Sequence, residues 1–296
     1  LIDYPAAQAV AMVVQTGSFE RAARALNVTP SAVSQRVKQL EERLGAVLIA
    51  RGNPCTATET GAWLCRHIEH VGLLESELLQ HLPGLGGLAE ARATISIAAN
   101  ADSVGTWFIE AIAPFARDSL HLLNIEIDDE GHTAEWLERG RVLAAVTSFD
   151  EPVRGCRVTP LGALRYQATA SPDFARRHFA EGVNPATLGA APALTFNHKD
   201  RLQQKWVLEV TGEAAAFPTH WLPSTHGFVD ACVNGIGWAL NPTSLVADHL
   251  GAGRLVEIVP GAVLDVPLYW QVSRLAADRL PELTRGVVAA ARRALV

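Results

Sequence analysis

Asn100, Asp102, Ser103 and Thr106 fall together where an apolar stretch, Thr94 to Ala99, gives way to a helical pattern from Ser103 to Ala116. A strand that turns into a helix presents free backbone N–H groups and the positive end of the helix dipole, and open sheets bind ligands at this carboxyl edge. Ser103 and Thr106 have hydroxyls to donate to a carboxylate, whereas Asp102 is wrong for an anion and suits an ammonium. Capping of the helix by Asp102 or Ser103 accounts for either residue equally well. A second acidic set, Asp128-Asp129-Glu130, closes the next apolar stretch, Leu122 to Ile127. Asp129 or Glu130 could meet a cationic group, because a shielded cation needs a partner. A solvated turn whose negative charge faces the next helix is the competing reading for each. Thr147 and Thr225, with Ser148, Asn197, Asp200 and His226, also stand at strand ends or helix starts, and the first two complete the candidate ligand set.

A different chemistry is written near the front. Ser31, Ala32, Ser34 and Gln35 lie on one side of a helical pattern, with Arg36 and Lys38 nearby and Thr29 before them. Gln35 can bond adenine in bidentate fashion and Ala32 can rest on a thymine methyl, while flanking bases meet phosphate. Two short helices must position these groups. Phe19, Ala22, Ala23 and Leu26 form one apolar stripe, and Val33, Val37, Leu40 and Leu44 form the other. Between them Asn27-Val28-Thr29-Pro30 is a tight turn, with Thr29 as cap, Pro30 at the first helical position and Gly45 as the stop. Helices so joined make a helix-turn-helix, whose second helix enters the major groove; an ordinary helical hairpin is the plain alternative. The chain carries a net charge of -6, yet residues 1–60 hold six Lys or Arg against five Asp or Glu. Any polyanion is therefore expected at the front.

From Thr58 to about Leu82 the pattern is helical again. Leu64, Ile68, Val71, Glu75, Leu78 and Leu82 alternate spacings of four and three, the seam of a two-stranded coiled coil with one acidic interruption. Pro83-Gly84-Leu85-Gly86-Gly87 then supplies a joint. Beyond residue 92 strand and helix alternate in two successive sets, which predicts α/β architecture with parallel-rich sheets covered on both faces. The last strand, Leu268 to Val272, and the helix Pro281 to Leu295 could return to either set. Trp107, Trp136, Trp206, Trp221, Trp238 and Trp270 are expected in the core or in lobe packing, with Trp107 a candidate wall of a cleft.

Other classes find little support. Cys55, Cys65, Cys156 and Cys232 match no zinc spacing and read as free thiols; His67 and His70 lack a third ligand. Neither a nucleophile elbow nor a phosphate loop occurs, so neither an enzyme nor a cofactor is expected. With 49% apolar and 19% charged residues, no membrane span and no secretory signal at the front, the expected location is the cytoplasm.

Gly17-Ser18-Phe19-Glu20-Arg21-Ala22-Ala23, the run from Leu26 through Thr29-Pro30-Ser31-Ala32-Val33-Ser34-Gln35-Arg36 to Glu41, Leu44-Gly45 and Arg51 together resemble the N-terminal signature of LysR-type transcriptional regulators. The resemblance implies a winged helix-turn-helix with its wing at residues 46–57 and Arg51 beside the phosphate backbone. Ile49 stands where the family usually has phenylalanine. It runs over the whole chain and implies a DNA-binding domain at 1–58, a linker helix and hinge at 59–92, and a two-lobed, periplasmic-binding-protein-like effector domain at 93–296. The chain would cross between lobes at Leu161 to Leu164 and at Val266 to Leu268, giving lobe I residues 93–161 and 269–296 and lobe II residues 165–266. Ala98-Ala99-Asn100-Ala101-Asp102-Ser103, Thr106-Trp107, Asp128-Asp129-Glu130, Gly155-Cys156-Arg157-Val158 and Asp265-Val266-Pro267-Leu268-Tyr269-Trp270 look like the ArgP/IciA/LysG branch. That implies a sensor of lysine or arginine that activates an amino-acid exporter gene, a homodimer or homotetramer on double-stranded DNA, and RNA polymerase as a further partner. The alternative is a two-lobed small-molecule binding protein or enzyme with a helical N-terminal extension.

Overall fold

The computed structural model describes residues 2–81, 93–119, 121–128, 133–138 and 141–296. Three helices open it: α1 (Tyr4–Thr16), α2 (Phe19–Ala25) and α3 (Pro30–Leu44). Thr29 Oγ1 accepts from Ala32 N at 3.2 Å, a cap of the kind that stabilises a helix by about 1 kcal/mol, and Gly45 ends α3 in the left-handed region at φ 64°. The expected turn and both expected stripes are present, with Ala22, Ala23, Val33, Val37 and Leu40 buried in one cluster. Helix α1 has no counterpart in the sequence reading. Ala6, Ala7, Ala9, Val10 and Val13 bury in the same cluster, and so apolar a segment shows little contrast between faces. A ribbon follows, β1 (Ile49–Ala50) paired antiparallel with β2 (Thr56–Ala57), and Ile49 is buried beneath it.

Helix α4 (Glu59–His81) starts at Thr58, whose hydroxyl accepts from Gly61 N at 3.1 Å. A Cβ on Gly61 would stand 1.9 Å from Leu48 O, so glycine alone lets α4 cross the base of the wing. The expected seam divides. Leu64 and Ile68 pack into the N-terminal cluster and Leu78 is 57% exposed, while Leu73, off that seam, joins the core of the C-terminal domain; Leu82 and the joint Pro83 to Gly87 lie outside the described residues. A helix with apolar residues on several faces buries the nearest ones against its own chain first.

The C-terminal domain is built on β3 (Thr94–Ala99), β4 (Leu122–Ile127), β5 (Ala144–Thr147), β6 (Cys156–Ala170), β7 (Ala193–Thr195), β8 (Thr219–Trp221), β9 (Ala239–Pro242), β10 (Val256–Glu257) and β11 (Val263–Ser273). The main sheet runs in the order β10-β6-β11-β5-β3-β4, with β9 also on β6. Among the strands of the described residues only β3 with β4 and β5, and β7 with β8, pair in parallel, so the sheets are mixed rather than parallel-rich. The cause is one long antiparallel ribbon, β6 with β11, which sets Leu164 opposite Val266 and Gly162 opposite Leu268 and shifts register between Leu268 and Tyr269. Pro160, Gly162 and Pro267 inside these strands hid their length from the sequence reading, because such residues usually end a strand. Trp206, Trp238 and Trp270 are fully buried and Trp107 nearly so. Trp221 is a correction: it is 52% exposed and packs its ring on His198, while Trp136 is half-buried.

Candidate effector cleft and DNA-binding face

At the front, Thr29, Ser31, Gln35 and Lys38 are exposed along the start of α3, and Ala32, Ser34 and Arg36 are half-buried beside them. The hydroxyls of Thr29 and Ser31 lie 3.0 Å apart, and Lys38 pairs with Glu42 one turn on, at 3.7 Å. Gln35 therefore stands on an open surface near the helix start, where a base edge can be reached. Arg51, exposed just after β1, sits with its guanidinium 5.5 Å from the centre of the Phe19 ring, a cation–π contact that steadies it at the entry of α2. One positioning residue escaped the sequence reading. Glu41 Oε1 accepts from Leu48 N at 2.7 Å and from Ile49 N at 3.2 Å, tying the wing to α3. It lay inside the motif, but a contact across seven residues is not a spacing that helix periodicity reports.

The second cluster gathers between the two halves of the C-terminal domain. β3 is followed by Asn100, which is 3% exposed and whose Oδ1 has no hydrogen-bond partner. Asp102 does not cap the helix. Its Oδ2 accepts from Tyr166 Oη at 2.8 Å and its Oδ1 from Thr225 Oγ1 at 2.6 Å, so two hydroxyls from the far side grip one carboxylate. Ser103 is fully buried with an unpartnered Oγ, whereas Thr106 turns its hydroxyl back onto Asp102 O at 2.6 Å. Thr147 is buried too and spends its hydroxyl on Phe149, accepting from its N at 3.3 Å and donating to its O at 3.2 Å. Asp129 and Glu130 lie outside the described residues. Their neighbour Asp128 is described: its Oδ2 accepts from Trp136 Nε1 at 3.0 Å, and Lys199 Nζ reaches its Oδ1 at 3.2 Å from the opposite side.

Asn100, Asp102 and Asp128 meet Asp200, Phe196 and Gln203 around a cavity of about 30 Å³. Asp200 is 4% exposed and accepts from Phe196 N and Leu202 N, both at 3.0 Å. Three carboxylates and two unpartnered buried acceptors, Asn100 Oδ1 and Gln203 Oε1, give this space a lining that favours a donor, and a cation above all. Asn100, Asp102, Asp128 and Asp200 thus converge, with Thr225 held on Asp102, while Thr106 and Thr147 face their own backbone. Tyr166 and Lys199 were missed, since a tyrosine in a strand reads as core and a loop lysine as solvated.

A larger cavity of about 980 Å³ lies elsewhere, between α1, α4 and the edge of β3 and β4. Glu69 on α4 reaches into it and accepts from Ser96 Oγ at 2.9 Å, and burial pushes its carboxyl up to about 7. Burial likewise holds His70 down at about 4 and pushes the Cys65 thiol up to about 12.

Comparison with known proteins decides the family. Residues 6–62 match the bacterial regulatory helix-turn-helix of the lysR family, and residues 89–296 match the LysR substrate binding domain. The chain belongs to the LysR family. The HTH-type transcriptional regulator ArgP of Pseudomonas aeruginosa is 41% identical to this LysR-type chain over 298 residues, covering 100% of it and 98% of ArgP. The solved C-terminal domains of a LysR family protein from Agrobacterium tumefaciens share 62% identity at a TM-score of 0.67, over 69% of this chain and 99% of that one. Full-length LysG from Corynebacterium glutamicum, solved with bound effector Arg, shares 36% identity at a TM-score of 0.67, over 99% of each chain. ArgP and LysG carry the names of the branch that the sequence resembles and are regulators rather than enzymes, which sets aside the alternative of an enzyme with a helical extension. Among the described residues no helix is long and apolar enough to cross a membrane.

Proposed function

We propose that this LysR-type regulator senses lysine or arginine between the lobes of residues 93–161 with 269–296 and residues 165–266, and reads operator DNA through residues 1–58. The observation that carries the effector class is the inter-lobe cavity, whose polar lining consists of the three carboxylates of Asp102, Asp128 and Asp200 and the unpartnered oxygens of Asn100 and Gln203 among apolar neighbours. A basic amino acid has ammonium groups for Asp102 and Asp128 and, with Asp129 or Glu130 beyond, for a distal cation; its carboxylate would meet the helix start and the Ser103 hydroxyl. The bound arginine of the related LysG supports the same class. At the front, Ser34 and Gln35 read bases, with Ser31 and Ala32 beside them, while Thr29, Arg36, Lys38 and Arg51 hold the backbone. Two such modules come from a dimer, or a tetramer of two dimers, joined along residues 59–92, where Trp63, Leu74 and Leu78 of α4 are exposed. The regulator acts in the cytoplasm, where it recruits RNA polymerase to an amino-acid exporter gene.

Calorimetry with lysine, arginine, norleucine and glutamate tests the effector class. Lysine or arginine should bind and glutamate should not, and norleucine, which lacks only the distal cation, should bind at least tenfold more weakly, about 1.4 kcal/mol. Norleucine binding as tightly as lysine sinks the basic-effector reading.

A further inference from the structure

Lys199 stands on a turn that fixes it. Asn197 Oδ1 accepts from Lys199 N at 2.7 Å and from Asp200 N at 3.2 Å, and the Asp200 carboxylate braces both ends of the turn. From this rigid base the Lys199 ammonium crosses between the lobes to both oxygens of Asp128, at 3.2 and 3.4 Å. The Asp128 side chain is only 18% exposed, and its residue lines the acidic cavity together with Asn100, whose buried Oδ1 has no partner. A primary ammonium on an aliphatic chain is also the distal group of lysine. The protein thus holds, at the edge of its candidate effector cavity, a side chain with the same chemistry as the ligand class that the cavity suits.

We propose that Lys199 is a specificity-determining residue that competes with the effector's distal cation for Asp128 and so sets the concentration at which the sensor responds. This rests on the basic amino-acid reading above. A cationic effector gains the Asp128 contact only by displacing the internal ammonium, so part of that gain is offset by loss of the displaced pair and its margin over a neutral analogue is narrowed rather than abolished. A neutral analogue leaves the internal pair intact and neither gains nor loses by it. Removing the Lys199 charge should therefore strengthen cationic ligands selectively and widen the margin over neutral ones.

Calorimetry on the wild type, Lys199→Gln and Lys199→Arg with lysine and with norleucine tests this. In Lys199→Gln lysine should bind about three- to tenfold more tightly, the scale of one partly shielded ion pair, while norleucine stays within about twofold. Lys199→Arg, which keeps the charge, should remain near wild type. Lysine affinity unchanged or weakened in Lys199→Gln overturns the proposal, as does an equal gain for norleucine, which would make Lys199 a plain brace between lobes. A wild type that prefers neither ligand removes the basic-effector reading instead. The internal pair is then judged without ligand, by labelling Lys199 with an amine-reactive reagent. Asp128→Asn should raise that labelling severalfold, since it releases the Lys199 side chain from the carboxylate that holds it across the cleft, and unchanged labelling overturns the pair.

Discussion

Individual side chains in this regulator divide by whether they face a partner or a backbone. Gln35 projects from the start of α3 with nothing of its own to bond, whereas Arg51 is steadied by the Phe19 ring at the wing. Their losses should therefore differ in kind. Gln35→Ala should relax preference at one base pair by roughly 1–3 kcal/mol, and Arg51→Ala should weaken specific and random DNA alike and flatten the salt slope by about one unit. Binding curves on operator and scrambled duplexes at several salt concentrations separate the two, and equal losses on both duplexes for Gln35→Ala would remove it from the readout. The exposure of Gln35 was legible in the sequence, because local capping by Thr29 and the helical period fix which side of α3 is outward, whereas Arg51 was named only by the family resemblance. In the cleft the same approach could not foresee how Thr106 and Thr147 bond. Their hydroxyls sit at the right edge, but a nearby carbonyl, Asp102 O or Phe149 O, captures each one.

Helix α4 is the element whose faces carry the most divided duties. Leu64 and Ile68 serve the DNA-binding module, Leu73 and Glu69 serve the C-terminal domain, and Trp63, Leu74 and Leu78 remain open. Its periodicity was plain in the sequence, but which stripe met which surface was not, since a helix wheel has no record of its neighbours. Glu69 supplies a test. Burial raises its carboxyl from 4.5 to about 7, so between those pH values the folded chain keeps a proton that the unfolded chain has lost. The contribution of Glu69 to stability accordingly falls as pH rises through that window, and the cost is complete above about pH 7. Glu69→Gln keeps an acceptor for Ser96 and removes the charge. It should stabilise the protein by on the order of 2 kcal/mol at pH 8 and by almost nothing at pH 4. Thermal melts at both pH values check this, and a constant difference between them would place the effect elsewhere.

Across the whole molecule, the two lobes are held by the β6–β11 ribbon and by polar contacts over the cavity, chiefly Tyr166 and Thr225 on Asp102 and Lys199 on Asp128. Asp102→Ala leaves two lobe II hydroxyls without their acceptor. The ligand-free chain should then open, seen as a larger radius of gyration in X-ray scattering, and effector affinity should fall by about tenfold or more. An unchanged radius would assign closure to the apolar core alone. The sequence by itself determined the helix-turn-helix, its caps, the helical linker, the alternation of strand and helix and the acidic edge at Asp102 and Asp128, because each depends on contacts within a few residues. Only the tertiary structure decided that Asp102 is shared between lobes, that Tyr166 and Lys199 belong to the cleft, and that Pro160 and Pro267 run inside one long ribbon. Those pairings join residues 64 to 123 positions apart, and no local pattern encodes a distance that the fold alone closes.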